Sequence, residues 1–242
     1  MAFDPGDEVY VQRFLLGLDE NDISPFYRTT VRKQVDRSVV VDMPDGTASQ
    51  PVATSKITQH FGVLVIRIGD FNEDGLLDPL AKAVLHYSRM MLPGDTVRMI
   101  ELRTENELEV LWGQHHGMCQ QVVLIGHGSA TDFQFGKASV SVTRLLQILA
   151  VPNPSPKEFI SLGCETGKAA FGKPFSEATF VARYLAPFHS IHGCVASLFA
   201  QTYLHERYIG GASANVAFKH AREHLGGAAS FRRWDNGTMY TD

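Results

Sequence analysis

Phe159-Ile160-Ser161-Leu162-Gly163-Cys164-Glu165-Thr166-Gly167 and Val122-Val123-Leu124-Ile125-Gly126-His127-Gly128 are the two stretches that decide the fold. Each opens as a short apolar run of the kind buried on both faces of a parallel sheet, and each closes on a reactive side chain beside glycine. In open α/β sheets, ligands and chemistry collect past the carboxyl ends of the strands. If these strands are neighbours, the His127 imidazole and the Cys164 thiol meet at one sheet edge, a base next to a nucleophile. Those residue types in that place predict a cysteine hydrolase.

Working outward, the same texture recurs on both sides. Phe61-Gly62-Val63-Leu64-Val65-Ile66-Arg67-Ile68 is short, continuous and β-branched, which predicts the first core strand. Leu76, Leu77, Leu80, Val84, Leu85, Tyr87 and Met91 then fall at helical spacing until Pro93-Gly94. A strand over 97–102, a helix over 105–118 and a strand over 121–126 follow. Beyond His127, Phe133-Gln134-Phe135-Gly136 reads as one strand of a small hairpin and 143–150 as a helix. Pro152, Pro154 and Pro156 then extend the chain into the Cys164 strand. A helix capped by Ser176 is expected over 176–185, a fifth strand over 190–196, helices over 200–208 and 214–225, and an irregular tail over 230–242. Five strands alternating with helices predict a doubly wound, mostly parallel sheet flanked by helices. Residues 1–58 lack a clear period, with a short helix expected over 9–18 and a strand over 37–43. They stand as an N-terminal extension of unassigned role before a domain at 59–242.

Composition narrows the function. The 242 residues carry a formal net charge of −4 with 44% apolar and 20% charged residues, which suits a globular chain and offers nothing to a polyanion. No nucleic-acid role is expected. No apolar run reaches the roughly 18 residues that a membrane span needs, and the start is acidic where a secretion signal is basic and then greasy. A cytoplasmic protein without a membrane role is expected. Cys119, Cys164 and Cys194 are widely spaced and form no Cys-x-x-Cys, so reduced thiols are expected.

The motifs carry a resemblance. Val122 to Gly128 and Ile160 to Gly167 resemble the His-Gly and Cys-Glu-Thr-Gly signatures of the caspase-like (clan CD) cysteine peptidases, and the branch they look most like is the CHAT domain. Phe133 to Gly136 lies where that family has a short hairpin. Residues 180–199 look like its helix, strand and Ser-Leu-Trp segment, and 214–225 like its closing Ala-Arg helix. The resemblance covers roughly residues 61–226 and implies a caspase-like fold. It also implies a cysteine endopeptidase that cuts a protein or peptide substrate, with a regulatory protein partner, in bacterial signalling, death or defence. In that arrangement Cys164 attacks, His127 protonates the leaving amine, and backbone N–H groups of Gly128 and Cys164 meet the oxyanion. No metal or cofactor is required. Two positions depart from the pattern: the residue two before the nucleophile is the uncharged Leu162, and the Trp of Ser-Leu-Trp is Phe199.

A thiol with an ordinary pKa near 8.5 is only a few per cent ionised at neutral pH, so it needs a partner such as His127. Cys194, expected mid-strand, and Cys119, expected at a helix end, read as structural. His115, His116, His220 and His224 read as helix-surface residues. The i, i+4 pair His220/His224 lacks a third ligand in a metal-binding pattern. Asp70-Phe71-Asn72-Glu73-Asp74-Gly75-Leu76-Leu77-Asp78 matches the first nine positions of an EF-hand calcium loop, but Ala81 stands where the closing Glu belongs, which favours an acidic helix cap. Asp70 leaves the first strand on the His127 edge, so with Leu162 and Phe199 it is a candidate for the substrate pocket, and it predicts a basic residue before the cut. Two rivals stand beside the peptidase. One is a catalytically silent caspase-like binding or scaffold module. The other is an α/β-hydrolase, ranked last because no Gly-x-Ser-x-Gly occurs.

Overall fold

The computed structural model of the chain describes residues 2–19, 25–58, 61–70, 75–152 and 154–241. Among the described residues, fourteen strands form a large mixed sheet, a smaller antiparallel sheet and a hairpin, accompanied by six α-helices.

The N-terminal segment is a five-stranded antiparallel sheet in the order β4-β3-β2-β1-β5. Its strands are β1 (Glu8–Gln12), β2 (Phe26–Val35), β3 (Ser38–Val41), β4 (Val52–Ala53) and β5 (Ile57–Thr58). The expected helix over 9–18 is instead β1 followed by one 3-10 turn, Arg13–Leu16. The reason lies in the alternation: Val9 and Val11 are buried against Val31, Val39, Val41 and Ile57, a period of two that pairing with β2 rewards. The sheet leans on the rest of the chain through Tyr10, stacked on Phe61 at 4.5 Å, and through the Gln12 amide, which donates to the Tyr208 carbonyl at 2.8 Å.

The large sheet runs β14-β13-β12-β11-β8-β6-β7. Its parallel part is β6 (Val63–Ile68), β7 (Val97–Leu102), β8 (Gln121–Ile125), β11 (Lys157–Ser161) and β12 (Val181–Pro187). β13 (Phe231–Asp235) and β14 (Thr238–Tyr240) add an antiparallel edge. Every residue of β6, β8 and β11 is buried, the polar ones at their ends included, as strands between two helical layers must be. On one face the sheet shares a core with α1 (Leu77–Met91), α5 (Gly193–Tyr208) and α6 (Ala214–Glu223). On the other it shares a core with α2 (Glu105–His115), α3 (Val142–Leu149) and α4 (Ala169–Ser176). A small hairpin, β9 (Asp132–Phe135) with β10 (Ala138–Ser141), follows β8. Local chemistry starts these helices: Thr104 and Glu107 form a capping box before α2, and the Ser141 and Ser213 hydroxyls cap α3 and α6.

Three expected elements are corrected. Residues 181–187 are the fifth parallel strand, not the end of a helix, because β11 on one side and β13 on the other supply hydrogen-bonded partners to a locally Ala-rich segment. The helix before it ends at Ser176 instead of starting there. Residues 190–196 are a loop and the first turn of α5, where the His192 ring accepts from the Cys194 N–H as N-cap, and Ala196, Phe199, Ala200, Tyr203 and Leu204 bury at helical spacing. The tail is a hairpin: Asn236 (φ 45°) and Gly237 (φ 78°) form the two-residue turn between β13 and β14.

Candidate active site

β8 and β11 are adjacent and parallel, with Leu124 opposite Ser161 and the Leu162 N–H donating to the Leu124 carbonyl at 2.8 Å. Counting the same three residues past each member of that pair reaches His127 and Cys164. The register therefore carries His127 and Cys164 off the same edge of the sheet, on the loops that follow β8 and β11. The glycines let the two loops close on each other. A Cβ on Gly128 would stand 2.6 Å from the Thr166 methyl and 3.0 Å from the Cys164 carbonyl oxygen. One on Gly163 would press on the Phe133 ring at 2.9 Å, and one on Gly126 would meet that ring and the Ile68 carbonyl, both at 2.7 Å. The ends of β6, β8 and β11 thus converge over the Phe133 side chain.

The loop bearing the thiol is held from several sides. The Thr166 hydroxyl donates to the Gly163 carbonyl at 2.8 Å, which leaves it to accept from the Ser161 hydroxyl, and the Ser161 oxygen accepts from the Gly163 N–H at 3.3 Å. These groups are buried, so each bond matters: Thr166→Val is expected to cost about 1–3 kcal/mol in chemical denaturation through the partners it strands. Gly167 donates to the Pro187 carbonyl at 2.8 Å and accepts from the Trp234 indole at 2.9 Å, which ties the loop to β12 and β13. Glu165 sits at φ 61°, a left-handed conformation that an L side chain rarely takes, and pairs with Lys168 at 2.9 Å. Cys164 itself is partly exposed, its sulfur 3.9 Å from the Ile191 carbonyl. His127 is exposed, its carbonyl accepting from the Gln134 N–H at 2.9 Å, and with Gly128, Ser129, Asp132, Gln134 and Ser139 it lines a cleft of about 80 Å³.

The remaining candidates divide. Asp70 is half-buried just past β6, and the Arg67 to Ile125 pairing sets it level with Gly128 on the same edge. Leu162 is buried in the core shared with α1, α5 and α6. Phe199 has no exposed surface: it lies within α5, stacked on Phe231 at 3.6 Å, a place in the core and not on a pocket wall. Residues 71–74 of the calcium-like loop lie outside the described residues. Asp78 pairs with Lys82 at 2.8 Å and with Arg67 at 3.5 Å. Among the described residues no group of three or more His, Cys, Asp or Glu side chains is arranged to hold a metal ion.

The other thiols differ sharply. Cys119 is fully buried, and burial pushes its thiol up to about 11 despite the nearby Lys157 ammonium, which donates to the Cys119 carbonyl at 2.8 Å. It is inert at neutral pH. Cys194 is exposed at the start of α5, with its sulfur 3.1 Å from the His192 Nδ1, a second thiol and imidazole contact that a strand over 190–196 hid. His-Gly-Cys ahead of an apolar helical period is the sequence signal that would have found it.

The sheet order and the two helical layers are consistent with a caspase-like fold. Among solved structures the chain is similar to a secreted C11 cysteine protease from Bacteroides thetaiotaomicron, a clan CD enzyme determined in complex with an irreversible peptide inhibitor. The TM-score is 0.53 at 7% identity, over 73% of this chain and 66% of that one. At that identity the likeness is one of fold. No protein-family profile and no curated protein matches the sequence.

Proposed function

We propose that the chain is a caspase-like cysteine endopeptidase of the CHAT type, with a doubly wound core at 59–242 as the peptidase domain and residues 1–58 as an accessory sheet. Cys164 is the nucleophile and His127 its proton-transfer partner. The observation that carries this reading is the contact of Gly128 with the Cys164 to Thr166 loop, at the ends of two paired strands. The Cys164 thiol passes its proton to His127 as the sulfur attacks the scissile carbonyl carbon, and the carbonyl oxygen becomes an oxyanion facing the backbone N–H groups of Gly128 and Cys164. The carbon–nitrogen bond then breaks as His127 gives its proton to the departing amine, and water hydrolyses the thioester. A protein or peptide is the substrate, and signalling, death or defence in a bacterial cytoplasm is the setting that fits such an enzyme, under a regulatory protein partner. Among the described residues no helix is long and apolar enough to cross a membrane.

The test is a thiol-directed peptide probe followed by mass spectrometry on the full chain. Modification of Cys164 in preference to Cys119 and Cys194, lost in His127→Ala, is expected. Preferential modification of Cys194 through His192 would move the nucleophile and overturn the assignment. Labelling of Cys164 with no turnover of any peptide would leave the silent binding module in its place.

Geometry gives a further expectation. Gly128→Ala puts a methyl group against backbone as well as the Thr166 methyl, so the two loops must separate. A shift approaching 1 Å between reacting groups costs on the order of 10²-fold in rate, so kcat on a peptide substrate is expected to fall by about that much while far-ultraviolet circular dichroism stays unchanged.

A further inference from the structure

The thiol edge continues into an apolar groove between α1 and α5 that the chemistry above does not use. Leu76, Pro79, Leu80 and Ala83 form one wall, Gly193 and Leu198 the other, around about 420 Å³. That volume is within the range of small-ligand clefts. Gly193 makes the floor: a Cβ there would already touch Leu76 and Leu80 methyls at 3.3 to 3.4 Å. Leu76 and Leu198 are 56% and 48% exposed, a large apolar area left to water. No Asp, Glu, Lys or Arg is among the lining residues, and Asp78 on the same helix is engaged with Lys82 and Arg67. The groove opens beside the thiol site: His192, which lines it, directly follows Ile191, whose carbonyl is 3.9 Å from the Cys164 sulfur.

We propose that this groove seats an apolar side chain, of leucine, methionine or phenylalanine type, from the peptide whose carbonyl Cys164 attacks. The inference rests on the peptidase reading and names its substrate class. A lysine side chain entering the groove loses hydration and finds no countercharge, whereas an apolar one removes its own surface and that of Leu76 and Leu198 from water. Selectivity for this substrate is therefore carried by α1 and α5.

Binding and turnover separate the two layers of the argument. The Cys164→Ala full chain is titrated with fluorescent peptide pools in which one position at a time is fixed as Leu, Met, Phe, Ala or Lys, and affinity is read by anisotropy. At one position the large apolar residues are expected to bind at least about 10-fold tighter than Ala or Lys, the size of discrimination an apolar pocket achieves. That ratio is expected to collapse to within about twofold in Ala83→Trp, which fills the groove from an exposed position, and in Leu198→Glu, which charges it. A preference that survives both substitutions, tightest binding by Lys peptides, or no binding by any pool would overturn the proposal. The same peptides are offered to the unmutated chain: apolar binding without cleavage supports the groove and removes the peptidase reading, while cleavage with a flat profile removes the groove and keeps the peptidase.

Discussion

Cys164→Ala is expected to reduce peptide hydrolysis to background, and His127→Ala to lower kcat by about 10² to 10⁴-fold, the usual range for a positioned proton-transfer group. The two effects should not add. Without the sulfur there is no acyl-enzyme for the imidazole to serve, so the double variant should be no worse than Cys164→Ala alone. Cys194→Ser, which leaves Cys164 and its loop in place, should change kcat/KM by less than about tenfold. Steady-state kinetics on one fluorogenic peptide checks all four proteins. Activity within tenfold of the unmutated chain in Cys164→Ala would remove the assignment. Equal residual rates in the double and Cys164→Ala variants would show that the two side chains act as a unit.

The second large effect lies at the opposite end of the thiol strand. Glu158, in β11, is 5% exposed and is met by the Arg183 and Arg207 guanidinium groups at 2.9 Å and by the Tyr203 hydroxyl at 2.9 Å. Burial pushes its carboxyl up, but Arg207, Arg183 and Tyr203 together outweigh it, so the net direction is down. Glu158→Ala leaves two largely buried guanidinium groups without their shared acceptor, a loss of about 3–5 kcal/mol. For a chain of this size that corresponds to a drop in Tm of roughly 6–20 °C, measurable by calorimetry. A carboxyl held below its ordinary value stabilises the fold above that ordinary value, about 4.3, and the contribution is lost as pH falls through the lower folded value. The unmutated chain should therefore lose Tm more steeply than Glu158→Gln as pH drops below about 4.3. Parallel curves would mean that Glu158 contributes nothing to acid unfolding.

Much of the core was legible in the sequence because its signals are local. The apolar runs Val63–Ile66, Val122–Ile125 and Phe159–Ile160 fit best between two helical layers, and glycines beside His127 and Cys164 mark where backbone must approach backbone. What misled were segments whose state is fixed by partners. Residues 181–187 become a strand because β11 and β13 stand on either side, and residues 193–196 become helix because His192 caps them and Phe199 has a core to enter. The hairpin of β13 and β14 did carry a local signal, Asn236-Gly237 between two β-rich runs. Phe199 illustrates the limit of motif matching: a position aligned to a pocket residue turns out to be packed against Phe231 with no surface at all.

The indole of Trp234 on the Gly167 carbonyl has a consequence in time as well as space. A ribosome emits Gly167 well before Trp234, so the nascent thiol loop lacks this fastening until the antiparallel edge has emerged and docked. Completion of the thiol loop is thereby scheduled late in synthesis, and a chain arrested between those two residues would carry its sulfur on a turn that lacks this fastening.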